Sequence, residues 1–311
     1  MEGRGNDLKE SIYEKLCAAV GEDFVQQEEP MKNHTTFRIG GPADYFVCPQ
    51  NYGQTAEVVK LCREEKISGC IIGNGSNLLV SDEGYRGVII QLYRNMSRIA
   101  VEGTQIRAQA GALLSQIGSR ALEYGLTGME FAAGIPGTAG GAVVMNAGAY
   151  GGEMKDILSE VTVLKRDGEI LTIPADGLEL GYRTSIIKKE SYIVLEALFE
   201  LKHGDVSAIR QRMEELKKLR CEKQPLEYPS AGSTFKRPQG YYAGKLIMDA
   251  GLRGYRVGGA MISEKHCGFV VNVQDATACD VRTLMEYVRK EVKAQFGVEL
   301  EPEVKFLGEF H

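Results

Sequence analysis

The sequence GIPGTAGGAVVMNAGAYGG, at residues 134–152, is the most informative part of this chain. Seven of its nineteen residues are glycine, and most of the others are small or apolar. Because glycine costs backbone entropy at every position, the stretch is predicted not to form a good helix. Backbone of this kind can pass very close to a ligand and point adjacent N–H groups at an anion such as a pyrophosphate. We call residues 134–152 the long glycine segment.

A shorter stretch of the same character, GNGSNLL, lies upstream at residues 73–79, and we call it the first glycine loop. It begins like the GxGxxG motif of dinucleotide-binding proteins, but Leu78 replaces the third glycine, so the motif gives little support to a Rossmann fold. Two such segments in one chain predict a long phosphate-containing cofactor that is held at two places. Tight turns in an ordinary α/β domain are the alternative interpretation of either segment alone.

The overall composition is that of a globular protein. The chain has 311 residues, enough for two or three domains with a well-buried core. Its formal net charge of −5 argues against general binding to nucleic acid or to an anionic membrane. No apolar run approaches the roughly 18 residues of a membrane span, and the N-terminus has no apolar signal core. The sequence therefore predicts no nucleic-acid partner and no membrane anchor.

The supply of cysteine and histidine limits the chemistry further. The seven cysteines are odd in number and scattered without a CxxC pair, so they are interpreted as reduced thiols of a cytoplasmic protein. With four histidines, the chain is poorly equipped for a His-rich metal site or a Ser–His–Asp hydrolase, and no metal is predicted.

Hairpins and helices alternate along the chain. Residues 99–102 are predicted to pair with 105–109, and 161–164 with 170–173 across an Asp-Gly turn. Residues 35–48 are predicted to form strands joined by a turn. Helices are predicted at residues 7–20, 54–66, 113–124, 205–222, 243–250 and 278–296. Asp7 is the expected N-cap of the first helix, and Thr277 and Asp280 give the last one a capping box. This arrangement indicates an α+β fold rather than a doubly wound sheet.

Seven motifs occur in order along nearly the whole chain. They are NHTTFRIGGPADYF (33–46), IIGNGSNLLVSDEGYRGVII (71–90), GIPGTAGGAVVMNAGAYGGE (134–153), GYRTS (181–185), PSAGSTFKRP (229–238), AGKLIMDAGLRG (243–254) and EPEVKFLG (301–308). By these motifs the chain resembles the UDP-N-acetylenolpyruvoylglucosamine reductase family of flavoenzymes. The short 181–200 region, and Arg237 where the other branch carries Asn, are similar to the type II branch.

The resemblance implies a vanillyl-alcohol-oxidase/PCMH-type FAD-binding fold in two subdomains, followed by a C-terminal α+β substrate-binding domain. The corresponding ranges are 1–86 with 302–311, 87–222 and 223–301. It also implies non-covalent FAD, held by both glycine-rich stretches. The residues predicted to bind the cofactor are Gly73, Asn74, Gly75, Ser76, Asn77, Leu78, Gly134, Ile135, Gly137, Thr138, Gly140, Gly141, Asn146 and Ala147.

The implied reaction reduces the enolpyruvyl ether of UDP-N-acetylglucosamine-enolpyruvate to the lactyl ether of UDP-N-acetylmuramate. This is a CH–CH oxidoreduction in peptidoglycan precursor synthesis, and through it in cell wall biogenesis, cell shape and cell division. The order is ping-pong, because NADPH first reduces FAD and NADP leaves before flavin N5 gives the hydride to C3. Negative charge then develops on C2 and the carboxylate, so the protein must stabilise that charge and deliver a proton to C2.

The resemblance assigns these tasks to three residues. Arg183, in GYRTS, matches the charge-stabilising arginine, whose planar fork suits a carboxylate. Ser233, in AGSTF, matches the serine that protonates C2, with support from a cation such as Lys236. Glu303, in EPEVKFLG, matches the third catalytic residue, which is expected to hydrogen-bond the carboxylate of the intermediate. That bond requires a protonated Glu303 carboxyl or compensation of its charge by Arg183. Sequence alone leaves other residues open as alternatives: Ser230 and Thr234 for Ser233, and Glu299 and Glu301 for Glu303.

Five further residues are predicted to bind the substrate: Tyr182, Arg220, Lys236, Arg237 and Lys245. His266 and Cys267 precede a strand and are predicted to be packed rather than catalytic. The chain is expected to act as a monomer.

Two competing functions remain open at this point. One is an oxidase of sugars or hydroxy acids on the same fold, since a fold does not fix a function. Such oxidases often hold flavin covalently through histidine, and neither glycine-rich stretch contains one. The other is a flavin-binding module without enzymatic activity, for which Ser233→Ala would change nothing measurable.

Overall fold

The computed structural model describes the backbone of residues 3–310 and the side chains from Ile12 onward. The chain divides into two compact units. Unit 1 comprises Met1–Gln27, Tyr45–Asn74 and Gly87–Lys218, and unit 2 comprises Glu28–Asp44, Gly75–Arg86 and Leu219–His311. The three-domain division drawn from the sequence stays a prediction.

The helices of the described residues are α1 (Gly3–Val20), α2 (Tyr52–Glu64), α3 (Leu114–Glu123), α4 (Ala139–Val144), α5 (Ile186–Glu190), α6 (Val206–Lys223), α7 (Ala243–Asp249) and α8 (Ala278–Phe296). Short 3-10 helices lie at Glu22–Phe24, Met31–His34, Met154–Asp156 and Ala175–Leu178.

The strands are β1 (Val25–Pro30), β2 (Pro42–Val47), β3 (Gly69–Ile72), β4 (Leu78–Val80), β5 (Tyr85–Gln91), β6 (Ile99–Glu102), β7 (Gln105–Gln109), β8 (Leu126–Thr127), β9 (Gly148–Ala149) and β10 (Gly152–Glu153). They continue with β11 (Leu158–Leu164), β12 (Ile170–Pro174), β13 (Ile193–Glu200), β14 (Lys202–His203), β15 (Arg256–Val257), β16 (Ala260–Ile262), β17 (Val270–Asn272) and β18 (Lys305–Leu307).

Unit 1 contains one whole sheet and contributes β3 and parts of β1, β2 and β5 to another. The latter has the strand order β1-β2-β5-β3, in which β3 and β5 are parallel. The other is antiparallel, with the order β12-β11-β13-β7-β6. Both hairpins predicted from the sequence lie in this second sheet and are confirmed. Their buried side chains join one hydrophobic core that also takes in Leu16 of α1 and Val58 of α2.

The long glycine segment differs from its prediction, because it contains a helix. Helix α4 packs on β7 and β13, and this contact depends on glycine. A Cβ atom at Gly140 would lie 2.9 Å from the Cβ of Ala110. The Gly140 N–H also donates to the Ala110 carbonyl at 2.9 Å. Tertiary packing on the sheet thus overrides the low helical propensity of the segment.

Residues 35–41 also differ from the sequence prediction, because they form no strand. Their backbone groups bond to other parts of unit 2 instead of to a sheet ladder. The Thr36 N–H donates to the Gly75 carbonyl at 3.3 Å, and the Phe37 carbonyl accepts from Asn272 Nδ2 at 3.2 Å. Helix α1 begins at Gly3, so the predicted N-cap at Asp7 is wrong.

Unit 2 combines a three-stranded antiparallel sheet, β15-β16-β17, with the parallel pair of β4 and β18. Helix α8 buries one face in the core of this unit, through Val281, Leu284 and Val288. The helix has the bounds predicted for it. The predicted capping box is confirmed, since Thr277 Oγ1 accepts the Asp280 N–H at 3.0 Å and Asp280 accepts the Thr277 N–H at 3.0 Å.

Asp82 adds a second carboxylate to the start of α8. Its two oxygens accept the N–H groups of Ala278 and Cys279 at 2.8 and 3.0 Å. Asp82→Ala is expected to lower the free energy of unfolding by about 1 kcal/mol, because first-turn N–H groups lose a charged acceptor. Urea denaturation measures this change. Glu83→Ala at the exposed neighbour is the control, with an expected change below about 0.5 kcal/mol; equal effects of the two substitutions would contradict the assignment.

Candidate cofactor and active-site residues

The two glycine-rich stretches meet in unit 1. The side-chain amide of Asn74 donates to the Pro136 carbonyl at 2.7 Å. A Cβ atom at Gly73 would lie 2.3 Å from Thr138 Oγ1, so only glycine permits this approach. The start of the first glycine loop and residues 136–138 of the long glycine segment are therefore adjacent, which supports the prediction that they serve one ligand.

The rest of the first glycine loop lies in unit 2. Gly75 is in the left-handed region with φ +63°, and a Cβ atom there would lie 2.1 Å from the His34 carbonyl oxygen. Asn77 is tied to the strand that follows Glu303, because its carbonyl accepts the Lys305 N–H at 2.9 Å. Leu78 then begins β4, in register with Lys305 of β18. Packing of the protein on itself thus explains Gly73, Gly75 and Gly140.

Most of the remaining predicted cofactor residues lie in α4 or close to it in sequence. Gly141 is exposed, and only Thr138 Oγ1 lies within 4 Å of a Cβ atom built on it. This open backbone beside Thr138 and Gly73 fits a cofactor that approaches the main chain closely. Other predicted cofactor residues use their backbone within the unit: the Gly137 carbonyl accepts the Leu114 N–H at 3.1 Å, Ile135 N–H donates to Ala132 O at 2.9 Å, and the Ala147 carbonyl accepts the Met154 N–H at 3.0 Å. Ser76 and Gly134 are half-buried and exposed, respectively.

Arg183 lies in a tight turn of unit 1 that we call the arginine turn, residues 181–184. Gly181 and Thr184 form an antiparallel bridge with N–H···O distances of 3.1 and 3.3 Å. Arg183 itself has φ +56°, a left-handed conformation that is rare for a bulky residue. Its guanidinium carbon lies 5.2 Å from the ring centroid of Tyr182, whose side chain is 55% exposed. The turn therefore holds Arg183 in a strained backbone conformation, next to Tyr182.

Asn146 lies in the same unit and is 1% exposed. Its side chain forms three hydrogen bonds within the protein, one of them to the arginine turn at the Gly181 carbonyl. The structure therefore joins a residue predicted to bind the cofactor to the segment that carries Arg183.

Ser233 and Glu303 are brought together in unit 2 by backbone pairing. The Thr234 carbonyl accepts the Glu303 N–H at 2.8 Å, and the Thr234 N–H donates to the Gly268 carbonyl at 2.9 Å. Ser233 is exposed, whereas Thr234 is buried and its hydroxyl accepts the Val270 N–H at 2.9 Å. Thr234 therefore has a structural task, which leaves Ser233 as the accessible hydroxyl of the pair.

Burial separates Glu303 from its two rivals. Glu303 is 8% exposed, and its carbonyl accepts from Asn77 Nδ2 at 3.2 Å. Glu301 is exposed and pairs with Lys236 at 2.7 Å, and this ammonium group lowers the pKa of the Glu301 carboxyl. Glu299 is exposed beside Lys293 at 3.4 Å. Only Glu303 of these three offers a carboxyl in a buried setting.

The basic residues predicted to bind the substrate differ in their neighbours and in their exposure. Lys236 is held by Glu301, and Lys245 of α7 pairs with Asp249 at 2.8 Å. The Arg237 guanidinium carbon lies 4.0 Å from the ring centroid of Tyr242, which is 61% exposed. Arg220 is half-buried on α6. Their roles toward the substrate stay predictions.

Three supporting residues were missed in the sequence. Thr36 Oγ1 donates to the Ser230 carbonyl at 2.7 Å and Asn272 holds the Phe37 carbonyl, so both fix the NHTTF motif in unit 2. Glu153 accepts from Asn146 in unit 1. Glu153 had a signal, because it is the first charged residue after a long stretch of small and apolar residues. Thr36 and Asn272 had none, since each acts on a distant carbonyl.

His266 is half-buried and Cys267 is buried, as predicted for packed residues. Burial lowers the pKa of His266 below its ordinary 6.5, while its Nδ1 accepts the Gly268 N–H at 3.0 Å. Below pH 6.5 the unfolded chain therefore takes up a proton that the folded protein resists, so stability is present above that pH and is lost as the pH falls.

We expect the free energy of unfolding to decrease between about pH 7 and pH 5, and to decrease less in His266→Asn, which keeps an acceptor for the Gly268 N–H. Urea denaturation across this range measures the slope. His203→Asn, on exposed β14, is the control. A slope in His266→Asn equal to that of the wild type would contradict this account.

Within residues 3–310, no helix is long and apolar enough to cross a membrane. The same part of the chain contains no group of three His, Cys, Asp or Glu side chains arranged to hold a metal ion.

Two family models match the chain. Residues 43–174 match the FAD binding domain, and residues 224–307 match the C-terminal domain of UDP-N-acetylenolpyruvoylglucosamine reductase. The first match covers both glycine-rich stretches, and the second covers the segments that carry Ser233 and Glu303.

Named relatives match this chain over nearly its full length. The chain is 53% identical over 302 residues to the UDP-N-acetylenolpyruvoylglucosamine reductase of Lachnoclostridium phytofermentans, covering 96% of this chain and 97% of the relative. The crystal structure of the Thermus caldophilus enzyme of that name is 36% identical, with a TM-score of 0.79 over 91% of this chain and 100% of that one. The 4-ethylphenol oxidase of Gulosibacter chungangensis shares the fold at 14% identity, with a TM-score of 0.50 over 95% of this chain and 65% of its own. The predicted FAD-binding fold is confirmed, and the chain belongs to the UDP-N-acetylenolpyruvoylglucosamine reductase family as an oxidoreductase that uses FAD.

Proposed function

We propose that this chain reduces UDP-N-acetylglucosamine-enolpyruvate to UDP-N-acetylmuramate with electrons from NADPH, in peptidoglycan precursor synthesis. The names of the relatives supply the substrate class. The observation that carries the proposal lies in unit 2, where the accessible Ser233 and the buried Glu303 are held on paired segments through the 2.8 Å bond from Glu303 N–H to Thr234 O. A hydroxyl and a carboxyl fixed in this way suit a reaction that needs both a proton donor and a partner for a carboxylate.

The backbone of the first glycine loop, with Thr138 and Gly141 of the long glycine segment, is proposed to hold FAD. When bound, FAD takes a hydride from NADPH and passes it to C3 of the enolpyruvyl group. The contact of Asn74 with the Pro136 carbonyl, which brings the two glycine-rich stretches together, and the open surface at Gly141 support this assignment.

Arg183 is proposed to stabilise the enediolate-like charge that develops on C2 and the substrate carboxylate. A guanidinium contributes to the rate only where it binds that charge better than the ground state. The left-handed turn at Arg183 favours this role, because the backbone conformation is fixed before the substrate arrives.

Ser233 is proposed to give its hydroxyl proton to C2, so that the new C–H bond forms as the Oγ–H bond breaks. Its exposure leaves the hydroxyl accessible to a substrate. Glu303 is proposed to bond the substrate carboxylate through its carboxyl group, which lies in a buried setting. The substrate diphosphate is assigned to the cations Arg220, Lys236, Arg237 and Lys245, with Tyr182 as a further contact. The protein is further proposed to be a cytoplasmic monomer that belongs to the type II branch.

The test is flavin absorbance under anaerobic conditions during sequential addition of NADPH and UDP-N-acetylglucosamine-enolpyruvate. Bleaching by NADPH followed by recovery on addition of the sugar nucleotide is the expected result. Bleaching without recovery would refute the substrate assignment and favour an oxidase on the same fold. The matched control is UDP-N-acetylglucosamine, which lacks the enolpyruvyl group and should restore no colour.

A further inference from the structure

We propose that Asn146 and Glu153 are positioning residues for Arg183, which together set the place of its guanidinium before the substrate binds. This inference rests on the proposed function, because it concerns the charge that Arg183 stabilises. All the residues involved belong to unit 1.

Asn146 connects three segments of unit 1. Its Nδ2 donates to the Gly181 carbonyl at 3.2 Å and to Glu153 Oε2 at 2.8 Å, and its Oδ1 accepts the Lys155 N–H at 3.0 Å. Both amide hydrogens and one acceptor position are thereby used inside the protein. At 1% exposure, these bonds have no competition from solvent, so loss of the side chain would leave buried polar groups unpaired.

The bond to Gly181 matters because Gly181 begins the arginine turn. The turn has only two residues between its bridged ends, and Arg183 adopts φ +56° within it. Such a conformation is strained for a residue with a Cβ atom, so contacts with neighbouring residues are needed to hold it. Asn146 itself follows the end of α4 in a left-handed conformation, with φ +42°.

Glu153 supplies charge at the same place. The Lys155 ammonium at 3.1 Å foremost, then the Asn146 amide and the positive charge of Arg183, lower the pKa of the Glu153 carboxyl. Glu153 is therefore ionised near neutral pH, and its negative charge attracts the Arg183 guanidinium. Asn146 thus fixes the backbone of the turn, while Glu153 biases where the cation of that turn lies.

The chemical consequence concerns preorganisation. A guanidinium that is already placed when hydride transfer begins stabilises the developing charge without a reorganisation cost. A cation that must first be moved into place loses part of that advantage, and a misplacement of about 1 Å costs about 100-fold in rate.

The experiment uses Asn146→Gly, because glycine accepts φ +42° without strain and removes only the side chain. Stopped-flow spectroscopy of the FAD-loaded variant measures flavin reduction by NADPH and flavin reoxidation separately. Reoxidation by UDP-N-acetylglucosamine-enolpyruvate is expected to slow by about 10- to 100-fold, mainly in kcat. Glu153→Gln is expected to act in the same direction with a smaller loss, and it carries the test if the glycine variant does not accumulate.

A double-mutant cycle with Arg183→Lys separates positioning from general damage. If Asn146 acts through Arg183, then adding Asn146→Gly to Arg183→Lys should cost less than about twofold more. Hydrogen exchange provides a second readout that does not depend on turnover: the Thr184 N–H, bonded to Gly181 O at 3.3 Å, should exchange faster in Asn146→Gly. Glu179→Gln, which breaks an exposed ion pair with Lys189 near the turn, is the control and should behave as wild type.

Wild-type rates in Asn146→Gly, additive losses in the cycle or unchanged exchange at Thr184 would overturn the inference while the proposed function stands. Failure of the wild-type protein itself to be reoxidised by the enolpyruvyl substrate would refute the proposed function. The two failures are therefore distinguishable.

Discussion

Ser233→Ala is expected to leave flavin reduction by NADPH unchanged and to slow reoxidation by UDP-N-acetylglucosamine-enolpyruvate by about 10²- to 10⁴-fold, the usual contribution of a general acid. Alanine keeps the backbone pairing of Thr234 with Gly268 and Glu303, since those bonds are made by main-chain groups. The loss would therefore come from the missing proton donor. Anaerobic stopped-flow measurement of the two half-reactions separates these effects.

Ser230→Ala is the matched control for this experiment. Ser230 lies three residues upstream, and its contact with Thr36 is made by its backbone carbonyl, which the substitution preserves. We expect wild-type rates in both half-reactions. Full turnover in Ser233→Ala would count against the assigned role and would favour a flavin-binding module without this activity.

Gly84→Ala is expected to have the largest effect on stability. Gly84 has φ +80°, and a Cβ atom there would lie 1.8 Å from the Pro42 carbonyl oxygen. The neighbouring backbone cannot withdraw easily, because Arg86 donates to the same carbonyl at 2.7 Å and the Gly84 N–H donates to Ser81 O at 2.9 Å. Strain and overpacking together should cost about 3–5 kcal/mol, a large part of the stability of a typical domain.

The control for Gly84→Ala is Gly251→Ala in the same unit. Gly251 has nearly the same backbone angle, φ +76°, but nothing lies within 4 Å of an added Cβ atom. Its substitution should cost about 1–2 kcal/mol from the left-handed conformation alone. Urea denaturation followed by circular dichroism compares the two variants. Similar losses in both would show that the backbone angle, and not the contact with Pro42, makes glycine necessary at position 84.

Local patterns in the sequence determined the elements that depend on local physics. The hairpins β6–β7 and β11–β12 follow from alternating strands that flank turn residues. Helix α8 follows from its capping box and its apolar spacing, and it has the bounds predicted for it. The motifs that carry the family resemblance also identified the FAD-binding fold. In each case the signal lies within a few residues of sequence, or in the order of several motifs along the chain.

Only the tertiary structure decided features that depend on distant contacts. Helix α4 forms among glycines because Gly140 packs on Ala110. Residues 35–41 form no strand, because backbone groups among them bond to Gly75 and Asn272 instead of to a sheet. Burial distinguishes Glu303 from Glu299 and Glu301, although all three lie within five residues of sequence. The link from Asn146 to the arginine turn joins residues 35 positions apart. The sequence named the chemical groups, but hydrogen-bond partners and exposure arise only when separate segments pack, because neither is a property of a local pattern.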